Sequence, residues 1–234
     1  MLRIAAIVPA AGLGKRMGSD QEKQFLELAG KPIIVHTLMA LSLNPNISEI
    51  YLVTLKEKVE YGRRELVEKY QLAKVSQIVA GGAQRQDSVA NGLLALQTIP
   101  DLILVHDGVR PLVSQDTINR VIAAAQEFGA AIAALPVKET IKAVDADGLV
   151  RHTLERSQLW TVQTPQVFRY QLFKEALKQA QQQNFYATDE AGLVERIGHP
   201  VKVVPGNPEN IKITTPEDLA IAEYWLGKTA PCIR

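Results

Sequence analysis

The chain has 234 residues, of which 47% are hydrophobic and 22% charged, and its formal net charge is +1. It is long enough to bury a large core, and its near-zero charge argues against a nucleic-acid partner, which would show as a basic excess. Cys232 is the one cysteine, so no internal disulfide can form, and no apolar run approaches the ~20 residues of a membrane span. A cytoplasmic protein is expected, or a plastid stromal one if a transit peptide has been removed.

Residues 4–8, Ile-Ala-Ala-Ile-Val, are a short continuous apolar run, which predicts a strand buried on both faces of a parallel sheet. Pro32 fits a helix N1 position, and Ile34, Leu38 and Leu41 then share one face up to Leu43. Residues 50–54 predict a second buried strand. Residues 57–70 read as a charged helix facing inward through Val59, Leu66 and Val67, and residues 75–79 as a third strand that ends in Ala80-Gly81-Gly82. Asp87 or Ser88 is expected to cap a helix through Leu96. Residues 102–105 read as strand, 115–128 as helix and 130–135 as strand.

The alternation then breaks. Residues 140–144 and 149–154 alternate around Asp145-Ala-Asp-Gly148, which predicts a β-hairpin arm over 137–159 with Asp-Gly in its turn. A hairpin alone is marginal in water and needs something to lie against. Beyond it, 160–168 reads as strand, 170–184 as helix, and Thr188-Asp-Glu190 as the cap of a helix to Ile197. Short strands are expected at 201–204 and 211–213, and Thr215 should cap a closing helix from Pro216 to Leu226. Together these elements imply an α/β fold: a doubly wound, mostly parallel Rossmann-like sheet with helices on both faces and a protruding β-hairpin arm, in one domain. Ligands of such sheets bind outside the carboxyl ends of the strands.

The first strand feeds Pro9, Ala10, Ala11, Gly12, Gly14 and Gly18, with Lys15, Arg16 and Lys23 close behind. Absent or tiny side chains let a ligand lie against the backbone, and turns there aim N–H groups at one point. A polyphosphate needs such an amide-lined, cation-rich loop. A P-loop is set aside, because no glycine stands five positions before Lys15 and Arg16 occupies the Ser/Thr position. A dinucleotide fingerprint fails at its third glycine, replaced by Met17, and lacks the later acidic residue. A tight strand-to-helix turn with solvated basic residues accounts for the glycines equally well.

P-A-A-G-L-G-K-R-M-G, followed by K-Q-F-L and G-K-P, resembles the signature of the nucleotidyltransferase (pyrophosphorylase) superfamily. The finer resemblance is to the 2-C-methyl-D-erythritol 4-phosphate cytidylyltransferase family. It also rests on Ala80-Gly-Gly-Ala-Gln-Arg-Gln-Asp-Ser88, on Leu102-Ile-Leu-Val-His-Asp-Gly-Val-Arg-Pro111, on Leu154-Glu-Arg-Ser-Gln-Leu-Trp160 and on Asn210-Ile-Lys-Ile-Thr-Thr-Pro-Glu-Asp-Leu219. The resemblance implies cytidylyl transfer from CTP to a polyol phosphate, with Mg²⁺ or another divalent metal as cofactor and a homodimer whose arm crosses to the second subunit. It makes Arg16, Lys23, Arg156 and Lys212 catalytic, and places nucleotide on Pro9, Ala10, Ala11, Gly12, Gly14, Gly82 and Ser88. Asp107 becomes the metal ligand, with Arg110 nearby, while Thr140, Arg156, Thr164, Thr188 and Lys212 join Asp107 and Arg110 as substrate-binding residues.

Two departures stand out. Ala83 replaces the acidic residue the family often carries, and Gly108-Val109 replaces two alanines. Phosphate attack on an α-phosphorus requires no proton removal, so His106 reads as structural. A cytidylyltransferase for another polyol, such as ribitol 5-phosphate, shares most of these blocks. A non-catalytic nucleotide-binding regulator is disfavoured by the intact Lys23, Asp107, Arg156 and Lys212.

Overall fold

The computed structural model describes residues 2–12 and 22–229. In chain order the elements are β1 (Ile4–Pro9), β2 (Glu27–Leu28), β3 (Lys31–Pro32), α1 (Ile33–Ser42), β4 (Ile47–Thr54), α2 (Val59–Tyr61), β5 (Val75–Ala80), α3 (Arg85–Leu94), β6 (Leu102–Val105), α4 (Gln115–Phe128), β7 (Ala130–Pro136), β8 (Lys142–Val144), β9 (Val150–Thr153), β10 (Trp160–Arg169), α5 (Tyr170–Gln182), α6 (Glu190–Arg196), β11 (Lys202–Pro205) and α7 (Pro216–Thr229). Among the described residues, no helix is long and apolar enough to cross a membrane.

The central sheet has seven strands in the order β11-β7-β10-β6-β1-β4-β5. β1 lies inside it and pairs in parallel with β4 on one side and β6 on the other. Its side chains are buried on both faces, as its unbroken apolar run requires. Ile4, Ala6 and Val8 join the core under α1 and α4, through Ile34, Leu38, Ile118 and Val121. Ala5 and Ile7 join the opposite core under α3, α5 and α6, through Val89, Phe173 and Val194. Phe168 of β10 is fully buried there and stacks on Phe173 with ring centroids 5.1 Å apart.

The topology sets the place of the site. From β1 the chain winds outward through β4 and β5, then returns across β1 to lay down β6. The strand order therefore reverses between β1 and β6, and the crevice beyond their carboxyl ends is where a ligand fits in such a sheet. β10 is antiparallel to both β6 and β7. Its register with β7 shifts between Val162 and Gln166, a stretch that includes the cis Thr164–Pro165 peptide bond.

Several local expectations need correction. The helix after Pro32 begins at Ile33, leaving Pro32 outside it as the flanking residue. Residues 56–68 are helical but change pitch, from a 3-10 turn at Lys56–Lys58 through α2 to a π-helix at Gly62–Glu68. Gly62 sits so close to β5 that an added Cβ would stand 3.1 Å from Ile78 Cδ1. The N-cap of α3 is Gln84 rather than Asp87 or Ser88. Its side chain and that of Asp87, at the third helical position, satisfy each other's backbone N–H groups. Residues 211–213 form no strand, since Ile211 N–H bonds back to Glu209 and Ile213 N–H reaches Val109 O without extending into a ladder. Their alternation survives all the same, with Ile213 buried and Lys212 facing the cleft.

The closing helix is capped as the sequence implies. Asp218 Oδ2 accepts the Thr215 N–H at 3.0 Å, and Thr215 Oγ1 accepts the Asp218 N–H at 3.4 Å. The arm exists as β8 and β9, joined through a turn in which Gly148 takes a positive φ of 81°. Asp145 Oδ1 accepts the N–H groups of Asp147 and Leu149, which fixes that turn.

Candidate active site

A cleft of about 530 Å³ opens at the predicted strand ends. Its floor is Pro9, Ala10, Ala11 and Gly12 from the end of β1, and Gly82, Ala83 and Gln84 from the loop after β5, with Arg85 of α3 at one side. Lys23, Asp107 and Lys212 stand at its sides, and Ser88 lines it from α3. Gly14, Lys15, Arg16 and Gly18 lie outside the described residues.

The two floor loops touch. A Cβ on Gly81 would lie 2.5 Å from Ala11 Cβ and 2.9 Å from Ser88 Oγ, so glycine is required for this approach. Ser88 Oγ accepts the Gly82 N–H and donates to Gln84 O, both at 3.1 Å, so its hydroxyl shapes the loop. Gln24 is buried and donates to Ala10 O at 2.7 Å, which ties the Lys23 segment to the end of β1.

Asp107 follows β6 and is almost fully buried, yet four polar side chains converge on it. Oδ1 accepts from Arg85 Nη2 at 3.0 Å and Nε at 3.2 Å. Oδ2 lies 2.9 Å from Lys212 Nζ and 3.6 Å from Arg110 Nε. Its backbone N–H donates to Thr164 Oγ1 at 3.0 Å. Burial alone would push the Asp107 carboxyl up, but Arg85, Lys212 and Arg110 outweigh it and hold the group well below the usual carboxylate range. Asp107 is therefore an ionised carboxylate throughout the physiological range.

The groups behind it are fixed by the rest of the sheet. Arg110 is buried and donates from Nη1 to Asn210 O at 2.7 Å, while Asn210 Nδ2 donates to Thr164 O at 2.7 Å. The sequence expectation offers the Thr164 hydroxyl to substrate. In the structure that hydroxyl accepts from Asp107 and meets His106 Nδ1 at 3.0 Å, inside the protein. His106 Nε2 faces Arg110 O at 3.1 Å. A carbonyl can only accept, which assigns the proton to Nε2 and makes Nδ1 the acceptor from Thr164.

Sequence reasoning missed two members of this network. Arg85, the first residue of α3, also donates from Nη1 to Glu190 Oε1 at 2.6 Å, and Glu190 is buried at the start of α6. Burial pushes the Glu190 carboxyl up even against Arg85. The predicted Thr140, Arg156 and Thr188 are exposed and do not line the cleft of their own chain. Arg156, at the base of the arm, donates from Nη1 to Lys138 O at 2.6 Å.

Among the described residues, no three carboxylate, imidazole or thiol groups gather as a preformed metal cage. Mg²⁺ needs none, because it binds through one or two carboxylates, waters and substrate phosphates. Asp107 fits that requirement: it is ionised, lines the cleft, and its Oδ2 meets Lys212 while Arg110 Nε stays beyond hydrogen-bond distance.

Burial pushes the His106 imidazole from 6.5 down to about 4, so the folded protein holds it neutral. As pH falls, the unfolded chain takes up this proton first, so the ring's contribution to stability is full above about pH 6.5 and lost on the way to 4. Between pH 7 and pH 5, without divalent metal, about 2 kcal/mol should disappear from this source. Urea unfolding of His106→Gln over the same interval should show a shallower fall than the unsubstituted protein, and equal falls would contradict the assignment.

The family described as 2-C-methyl-D-erythritol 4-phosphate cytidylyltransferase matches residues 4–228. The enzyme of that name from Pelotomaculum thermopropionicum is 50% identical over 95% of this chain and 94% of its own length. That from Syntrophus aciditrophicus is 48% identical over 97% of each chain. The solved 4-diphosphocytidyl-2C-methyl-D-erythritol synthase of Anaerococcus prevotii superposes with a TM-score of 0.85 at 34% identity, covering 97% of this chain and 99% of its own. For the solved cytidylyltransferase of Thermus thermophilus the TM-score is 0.79 at 33% identity, with 96% and 98% covered. With the cleft at the β1–β6 crossover and these likenesses over nearly the whole length, the chain belongs to the 2-C-methyl-D-erythritol 4-phosphate cytidylyltransferase family.

Proposed function

We propose that this protein transfers the cytidylyl group of CTP to 2-C-methyl-D-erythritol 4-phosphate, giving 4-diphosphocytidyl-2-C-methyl-D-erythritol and pyrophosphate. The observation that carries the reading is the cleft itself. Backbone loops almost bare of side chains lie at its floor, with Lys23, Arg85 and Lys212 at its sides. A triphosphate matches the cations, and a base can lie against the small residues of the floor.

In the reaction a phosphate oxygen of the polyol attacks the α-phosphorus of CTP in line. The bond from that phosphorus to its β-bridging oxygen breaks, and pyrophosphate leaves with the electron pair. The nucleophile is already an anion, so no base is needed, which agrees with a neutral His106 turned into the protein. Catalysis then rests on positioning and charge stabilisation. Lys23 and Lys212 supply cations in the cleft, and the family resemblance assigns Arg16 a catalytic role beside them. Such donors are commonly worth about 3 kcal/mol each. Gly82 and Ser88 with Ala10, Ala11 and Gly12 receive the nucleotide. A Mg²⁺ ion would be held by Asp107 and the phosphates, and would neutralise charge on the triphosphate.

Pyrophosphate release measured with each of four nucleoside triphosphates, and with 2-C-methyl-D-erythritol 4-phosphate or ribitol 5-phosphate, tests the reading. CTP with the methylerythritol phosphate should be fastest, and Lys23→Ala should lower its turnover about 10²-fold or more with thermal unfolding unchanged. Preference for ribitol 5-phosphate, or near-normal turnover in the variant, would sink the corresponding assignment.

A homodimer through the arm is part of the same proposal. Val144, Leu149 and Val150 are more than half exposed along the hairpin, and Trp160 and Val162 follow at 40% and 43%. An apolar two-stranded arm gains stability by lying against another surface. With Thr140 and Arg156 at its base and outside their own cleft, a second copy is the partner that gives them a use. Each site then takes Lys23 from one chain and Arg156 from the other. Mixing Lys23→Ala and Arg156→Ala proteins under subunit exchange makes about half the dimers mixed, and each mixed dimer has one intact site. Recovery of roughly a quarter of normal activity is expected, and no recovery despite demonstrated exchange would refute the crossed arm.

A further inference from the structure

Glu190 is a charged side chain in the interior, 2% exposed, and it does not line the cleft. A buried carboxylate costs several kcal/mol unless it is paired, and leucine would fill the same space without that cost. Oε1 accepts from Arg85 Nη1 at 2.6 Å, while Oε2 is buried with no hydrogen-bond partner among the described residues. The other two donors of the same guanidinium, Nε and Nη2, both reach one oxygen of Asp107, Oδ1.

Arg85 thus bridges a carboxylate inside the protein and a carboxylate in the cleft. The segment before Glu190 is clamped to the start of α3 independently of this bridge. Gln86 Nε2 donates to Phe185 O at 3.0 Å and its Oε1 accepts from Ala187 N–H at 3.1 Å, while Tyr186 Oη donates to Asp87 at 3.2 Å. The bridge is therefore built into the fold before any ligand arrives.

We propose that Glu190 is a positioning residue that acts through Arg85 on Asp107. By occupying Nη1, Glu190 confines Arg85 to Oδ1 and leaves Oδ2, which meets Lys212 from the cleft side, clear of the guanidinium. Remove the Glu190 charge and Nη1 is released. The guanidinium can then fork across both Asp107 oxygens, the geometry it prefers with a lone carboxylate, and compete with a cation for Oδ2.

This inference rests on the reading of the cleft as a metal–triphosphate site. Glu190→Gln keeps the shape and one acceptor but removes the charge. The magnesium concentration for half-maximal turnover should rise about tenfold, within the range typical of groups that orient a ligand from behind. Calorimetric titration with CTP should show weaker binding in the presence of Mg²⁺ and little change in its absence. A purely structural role would lower the melting temperature without moving either quantity. Unchanged magnesium dependence and CTP affinity in a folded Glu190→Gln protein would overturn the proposal.

If that variant does not fold, Glu190→Asp carries the test, because a side chain one methylene shorter draws its carboxylate back from Nη1 and releases it in the same way. It should show the same rise in magnesium requirement and the same metal-dependent loss of CTP affinity, and the absence of both would overturn the proposal equally. An unsubstituted protein that neither binds CTP nor releases pyrophosphate would instead overturn the reading of the cleft.

Discussion

A single carboxylate with more positive neighbours than it can neutralise organises this protein. Asp107 is almost wholly buried, and Arg85, Arg110 and Lys212 together hold it ionised. Counting Glu190, two carboxylates face three cations, with Lys23 a further cation across the cleft. Among the described residues, cations therefore outnumber carboxylates around Asp107, and a triphosphate supplies negative charge. The same charges that make the site costly to assemble make it receptive to an anionic ligand in a partly desolvated space.

The fold is what holds these groups together against their mutual repulsion. Asp107 comes from the end of β6, Lys212 from the segment before α7, Arg85 from α3 and Glu190 from α6. They converge because β1 and β6 are neighbours at the strand-order reversal, where helices and loops diverge from the sheet and leave a crevice. The antiparallel β10 contributes Thr164, whose hydroxyl joins Asp107 to His106. The neutral histidine belongs to this support: its proton faces a carbonyl, and its other nitrogen keeps Thr164 turned inward.

Much of this is legible in the sequence, for physical reasons. A continuous apolar run of this length suits a strand covered on both faces, and β1 is one. The small residues after it mark where backbone must approach backbone, as Gly81 does against Ala11. Asp-Gly announces the hairpin turn. What escapes are interactions between residues far apart in the chain. Arg85 and Glu190 are separated by 105 positions, and each sits where a helix-start signal already explains its neighbours. Thr164 is offered to substrate by the family resemblance alone, and no local pattern announces that its hydroxyl meets Asp107 N–H and His106. Residues 211–213 read as a strand because alternation reports which way side chains face, not whether a neighbouring strand is there to pair with.

The central claim is that Asp107 stays ionised because three cations surround it, and a carbon-detected NMR titration of its labelled side-chain carboxyl tests that directly. The signal should keep its carboxylate shift as pH falls past the ordinary aspartate midpoint of about 3.9, down to the acid limit of folding. In Lys212→Met the titration should move upward toward that ordinary value. A midpoint at or above about 4 in the unsubstituted protein would contradict the account.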